Sequence, residues 1–184
     1  SGVHARGQVA HVELPDEVEI EPLIFGVNGM VGDQIHLVEA EKVPADFHAR
    51  FDALAREYEY TITTRSLPLQ RHFTWSLRYP VDISLLHECA AELKGTFDFA
   101  GFSKFNQDNY TTLCDIFKSE FYIEGEIIRY RIKANRFLRN MVRRLVGTMV
   151  RVAQGKISYA DFKEALHNPA ASIPTFTAPA HGLV

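Results

Sequence analysis

The sequence predicts an α+β fold, a mixed and largely antiparallel sheet with flanking helices. Three observations carry this expectation. Alternating stretches rich in Val, Ile, Tyr and Thr are interspersed with helical periodicities along the whole chain. Residues 113–122 and 126–134 form two such stretches joined through Glu124–Gly125, the pattern of a long antiparallel hairpin. Residues 137–153 then place Leu138, Met141, Val142, Leu145, Met149 and Val152 on one arc at 100° per residue.

Taken in order, strands are expected at residues 8–14, 34–43, 58–64 and 72–76. Pro22, Gly26 and Gly29 punctuate the interval after the first of them. A helix is expected over residues 82–93: Asp82 is a natural N-cap, Leu85, Leu86, Cys89 and Leu93 recur at helical spacing, and Gly95 follows as a stop. After the hairpin and the 137–153 helix, a last helix spans about 159–167, with Ser158 as N-cap and Pro169 beyond its end. "IPTFTAPAHGLV" reads as a loop entering a strand.

The 184 residues suit one domain or one and a half, with enough chain for a sizeable core. A hydrophobic content of 46% and a charged content of 23% exclude a disordered or fibrous protein. No apolar run approaches the roughly 18 residues a membrane span needs. Cys89 and Cys114, both among apolar neighbours, read as buried free thiols in a reducing cytoplasm rather than a disulfide.

Net charge is −3, yet it is unevenly spread. Between residues 127 and 160 stand Arg129, Arg131, Lys133, Arg136, Arg139, Arg143, Arg144, Arg151 and Lys156, with no acid. Arg136, Arg139 and Arg143 fall on the arc opposite the apolar one. Solvated helix faces normally mix signs, because like charges repel at helical spacing. Arginine's planar fork suits phosphate, so this stripe is read as facing an anion, with phosphodiester foremost.

Tyr58, Tyr60 and Ile62 alternate onto one strand face. Tyr60 reads as core. Tyr58 is nearest the segment containing His48, Arg50 and Arg56, and its pattern leaves packing and base stacking both open. The histidines, beginning with His4, His11, His36 and His48, fit no zinc spacing, and no metal site is expected. A metal-dependent nucleic-acid enzyme would need acidic ligands near the arginines, and that stretch has none. Phosphate-binding glycine loops and serine-hydrolase elbows are absent from the sequence.

Four motifs in register give a resemblance over essentially the whole chain. "GVHARGQVAHVEL", "FHARFDALAREYEYTI", "LKGTFDFAGF" and "IKANRFLRNMVRRLVGTMV" resemble, in order and spacing, those of the tRNA pseudouridine synthase A family, the 38–40 synthases. "APAHGLV" resembles the family's closing loop. The family signature, G-R-T-D-x-G-V-H-A, puts Ser1 at x and the nucleophilic aspartate immediately before it. One departure is Gly95-Thr96-Phe97-Asp98-Phe99, where the family often has G-x-H-D-F.

The resemblance implies the pseudouridine-synthase fold and an isomerase that converts uridine to pseudouridine in the tRNA anticodon stem-loop, without cofactor or metal. It implies a cytoplasmic homodimer with tRNA lying across both subunits. The target nucleotide would be flipped out, attacked by the aspartate, and rejoined to the ribose through carbon. Tyr58 matches the family's active-site tyrosine, binding the uracil, and Arg143 matches the arginine that pairs with the aspartate. Arg136 and Arg139, with Arg6 and Arg50, are expected to meet RNA. On this reading residues 1–184 are most of the catalytic domain, truncated at both ends, without the amino-terminal domain and a final strand. The alternative is an inactive RNA-binding or dimerising fragment, because the aspartate lies outside the 184 residues.

Overall fold

The structure is a computed structural model that describes residues 2–107, 109–168, 171 and 173–184. They divide into two units: residues 2–6 with Leu54–Val184, and Gly7–Ala53.

The larger unit is built on a five-stranded sheet in the order β2-β1-β5-β4-β3. Its strands are β1 (Arg56–Thr63), β2 (Trp75–Ser76), β3 (Gly95–Asp98), β4 (Leu113–Glu124) and β5 (Ile127–Ala134). Only the β1–β2 pairing is parallel, so the sheet is mixed and largely antiparallel as expected. The β4–β5 hairpin closes through Gly125 at φ +62°, a left-handed conformation that glycine adopts without a steric penalty.

A bulge between Ile116 and Lys118 shifts the β4 register by one residue. Before it Cys114 and Ile116 face the core; after it Ser119 and Phe121 do. Without that extra residue the second half of the strand would turn its apolar side to water. Phe117 sits at the slip, half exposed.

Helices α2 (Ile83–Glu92), α3 (Met141–Ala153) and α4 (Tyr159–His167) complete this unit. Asp82 caps α2 by accepting from the Ser84 and Leu85 amides at 2.8 and 3.3 Å, and Ser158 caps α4 by accepting from Asp161 at 3.0 Å. All six residues of the expected apolar arc of α3 are buried. They join Tyr60, Ile62, Ile128, Tyr130 and Ile132 from the sheet in one core. Phe97 packs at the edge of that core, its ring 5.1 Å from His167 and 6.3 Å from Phe99.

Several expectations are corrected. Helix α3 starts at Met141, four residues later than its periodicity suggests, because Asn140 takes φ +61°, which a right-handed helix cannot contain. Arg136 and Arg139 therefore precede the helix, and the three arginines do not share one helical face. The strand expected at 72–76 shrinks to Trp75–Ser76. Helix α2 ends at Glu92 with Leu93 as its C-cap, within a residue of the expected end, and Gly95, read as the stop, opens β3.

In the smaller unit, residues 8–14 and 35–43 belong to no strand, while α1 (Ile20–Val31) occupies the interval read as turns. A strand exists only where a neighbour takes up its backbone groups, and neither stretch has one. Pro22 is tolerated because it lies in the first helical turn, whose amides have no intrahelical acceptor. Asn28 holds the return of the chain through both amide atoms, donating to the Leu37 carbonyl at 3.0 Å and accepting from its N–H at 2.7 Å. No residue of α1 is buried. Among the described residues no helix is long and apolar enough to cross a membrane.

Candidate active site

Tyr58 and Tyr60 leave β1 on the same side, two residues apart, but meet different surroundings. Tyr60 is fully buried, and its hydroxyl donates to the Pro179 carbonyl at 2.7 Å. Burial drives its pKa far above the ordinary phenol value, with the nearby Arg143 charge pulling weakly the other way. Tyr58 is only half buried, and its ring meets Phe137 edge-on at a centroid distance of 5.0 Å. The same alternation thus yields one tyrosine committed to the core and one with part of its ring open.

Arg143 is the third residue of α3. Its Nε donates to the Ala178 carbonyl at 2.7 Å, and the Ala178 amide donates back to the Arg143 carbonyl at 3.0 Å. This doubly bonded contact is one of several that strap the closing segment, residues 173–184, onto the unit. A Cβ at Gly147 would lie 2.0 Å from the Phe176 carbonyl oxygen, so the strap crosses α3 backbone to backbone. Phe176 stacks on Trp75 at 5.9 Å, with the Arg151 guanidinium 4.6 Å from its ring. Gly182 presses against the Tyr60 ring, and Leu183 forms an antiparallel bridge with Tyr60.

The amino-terminal residues contact the strap as well. The His4 amide donates to the Leu183 carbonyl at 3.0 Å, its ring nitrogen lies 2.9 Å from the His72 carbonyl, and a Cβ on Gly2 would contact the Ala180 side chain. Gly2 takes φ +82°, where a side chain would be strained. The strap therefore joins the chain beside Ser1 to Arg143, and it also contacts the strand that carries Tyr58.

The remaining site residues are distributed. Arg136 and Arg139 lie on the connection between β5 and α3, either side of Phe137. Arg136 Nη2 reaches the Asn109 amide oxygen at 3.4 Å, and the Arg139 carbonyl accepts from the Lys104 amide at 2.9 Å. Arg6 is on the opposite sheet face, 3.5 Å from Glu59. Arg50 belongs to the smaller unit, where its guanidinium lies 5.6 Å from the Phe51 ring.

Glu59 was not legible as a site residue. It alternates with Tyr58 and Tyr60 and so faces the other way, where it accepts from Arg129 Nη1 at 3.0 Å and Arg131 Nε at 2.8 Å. Burial raises its pKa, but the two arginine hydrogen bonds and their charges outweigh burial and hold the carboxyl below its ordinary value. Two of the nine cations in the basic stretch thus already have an acid partner, brought by β1 from 70 residues away in sequence. Phe137 was also missed, because an aromatic in an apolar motif signals only core. Among the described residues no group of three or more His, Cys, Asp or Glu gathers as metal ligands would.

Such a sheet, with Arg143 and Tyr60 both hydrogen-bonded to the closing strap, defines a class when joined to its relatives. The family profile described as tRNA pseudouridine synthase matches residues 89–184. The protein named tRNA pseudouridine synthase A of Halalkalibacterium halodurans is 34% identical over 189 residues, covering 100% of this chain and 71% of that protein. Those of Bacteroides fragilis and Chlorobaculum tepidum are 38% and 37% identical, covering 90% and 92% of this chain and 67% and 70% of theirs. This chain belongs to the tRNA pseudouridine synthase family.

Proposed function

We propose that the chain is the catalytic part of an enzyme that isomerises uridine to pseudouridine in the anticodon stem-loop of tRNA, at positions 38 to 40. The observation that carries this reading is the strap: Arg143 bonds it at Ala178, and Gly2 and His4 lie against it at Ala180 and Leu183, two and five residues further on. An aspartate at the signature position before Ser1 would enter the neighbourhood of the Arg143 guanidinium, which would keep it ionised as a nucleophile.

In the reaction the carboxylate attacks the flipped uridine, the bond from ribose to N1 breaks, and the detached uracil turns. A bond from C5 to ribose then forms as the aspartate is released, C5 loses its hydrogen as a proton, and N1 takes up a proton in exchange. Tyr58 would lie against the uracil, backed by Phe137, and its hydroxyl would assist the proton's departure. Arg136 and Arg139, with Arg50, would hold the RNA backbone. Arg6, on the other sheet face beside Glu59, would meet a separate stretch of the RNA backbone. We further propose a cytoplasmic homodimer, in keeping with two buried free thiols, which a reducing compartment preserves.

Tritium release from tRNA labelled at uracil C5 tests the reading, since the new carbon–carbon bond must expel that hydrogen. The chain extended through G-R-T-D is expected to release tritium, and the 184 residues by themselves are expected to release none. A silent extended chain would overturn the reading.

A further inference from the structure

Residues 104–110 carry two large rings in open solvent. Phe105 is 82% exposed and Tyr110 is fully exposed. Single exposed apolar residues are ordinary on protein surfaces. These two differ in where their neighbours are fixed. Lys104, next to Phe105, donates its amide to the Arg139 carbonyl at 2.9 Å. Asn109, next to Tyr110, accepts from Arg136 at 3.4 Å. The Arg144 side chain further pins the loop's start by donating to the Ser103 carbonyl at 2.5 Å.

The loop is thus tied at both ends to the connection between β5 and α3. That connection carries Arg136 and Arg139, and its Phe137 touches Tyr58. The exposed rings of Phe105 and Tyr110 thus belong, with Lys104, Gln107 and Asn109, to a loop held against the connection that carries Arg136, Phe137 and Arg139. Rings offer stacking faces to any base, cations take the phosphates between bases, and amides can bond base edges. A protein partner would be expected to cover such rings within a contiguous apolar patch, whereas the amide residues Asn106, Gln107 and Asn109 stand between these two in sequence.

Resting on the reading proposed above and extending it, we infer that Phe105 and Tyr110, with Lys104, Arg136 and Arg139, form a stacking clamp. In it Phe105 and Tyr110 hold unpaired RNA bases next to the flipped uridine, and Lys104, Arg136 and Arg139 hold the adjoining phosphates. The clamp recognises single-stranded loop nucleotides and has no purchase on a fully paired helix.

The test uses the 184-residue chain, because binding does not need the nucleophile. Its affinity is measured for a labelled anticodon stem-loop RNA and for the same stem as a fully paired duplex. Phe105→Leu and Tyr110→Leu should each weaken stem-loop binding by about tenfold, leave duplex binding unchanged, and leave the salt dependence unchanged. Tyr110→Phe should bind like the parent, since it keeps the ring. Both leucine variants should keep the parent's thermal midpoint, because neither ring is buried. Equal stem-loop affinity in parent and both leucine variants would overturn the clamp while leaving the tRNA reading intact. A parent chain that binds neither RNA would overturn the tRNA reading, and the clamp with it.

Discussion

Arg143 and Ala178 hold each other twice: the guanidinium Nε donates to the Ala178 carbonyl at 2.7 Å, and the Ala178 amide donates to the Arg143 carbonyl at 3.0 Å. One nitrogen of the fork is thereby fixed, so the rest of the guanidinium has a defined direction from which to meet a carboxylate.

Arg143→Ala, in the chain extended through G-R-T-D, is expected to lower tritium release by roughly 10²–10³-fold, the usual cost of removing one charge-stabilising donor. RNA affinity should change little, because many cations remain. Arg143→Lys should not rescue the rate, because an ammonium cannot bond the strap and the carboxylate with the same planar geometry. A rate in Arg143→Ala equal to the parent's would refute the assigned role.

On the proposed reading Tyr58 meets the flipped base and not the RNA backbone, so Tyr58→Ala should abolish release and leave RNA affinity largely intact. Tyr60→Phe tests the contrasting position. Losing its bond to the Pro179 carbonyl should cost about 1 kcal/mol of stability in denaturant titration. Its effect on the rate should come only through loosening of the strap.

Gly147→Ala forces a Cβ to within 2.0 Å of the Phe176 carbonyl oxygen, a backbone atom that cannot swing aside. About 1–3 kcal/mol of destabilisation is expected, seen as a lower denaturation midpoint. Gly29→Ala is the control: nothing stands within 4 Å of its Cβ, and alanine is the better helix former.

The carboxyl of Glu59 has its pKa lowered from 4.5 on folding, so its ion pairs stabilise the fold fully above that pH. The contribution is lost as pH falls below 4.5 through the lowered folded value. Glu59→Gln should therefore destabilise the protein at neutral pH and flatten the acid limb of its stability profile. An acid limb identical to the parent's would show that other carboxylates dominate there.

Burial pushes the thiols of Cys89 and Cys114 up to about 12 and about 11. Neither should react with a thiol reagent at pH 8 in the folded protein, and both should react once it is unfolded. Rapid labelling of either thiol under native conditions would contradict the burial.

Much of the larger unit was legible because its signals are local. Asp82 and Ser158 name helix starts through their own side chains, the β4–β5 turn needs the glycine it has, and the apolar arc of α3 needs only 3.6-residue periodicity. The family motifs single out Tyr58 and Arg143 as candidates by order and spacing. Local reading failed where a partner decides the outcome: the alternation of residues 8–14 forms no strand without a neighbour. It failed again at Asn140, where one left-handed residue separates Arg136 and Arg139 from the helix that periodicity assigned them to.

The sequence by itself determined the secondary elements with their own caps, turns and apolar periodicity, together with the family. Tertiary structure alone decided which cations stay available, because Glu59 reaches Arg129 and Arg131 only when β1 pairs with β5. It also separated the two tyrosines: equivalent in alternation, they differ because the strap covers Tyr60 and leaves Tyr58 half open. The physical reason is the same in both cases. Charge pairing and burial depend on distances through space, and residues far apart in sequence leave no local record of them.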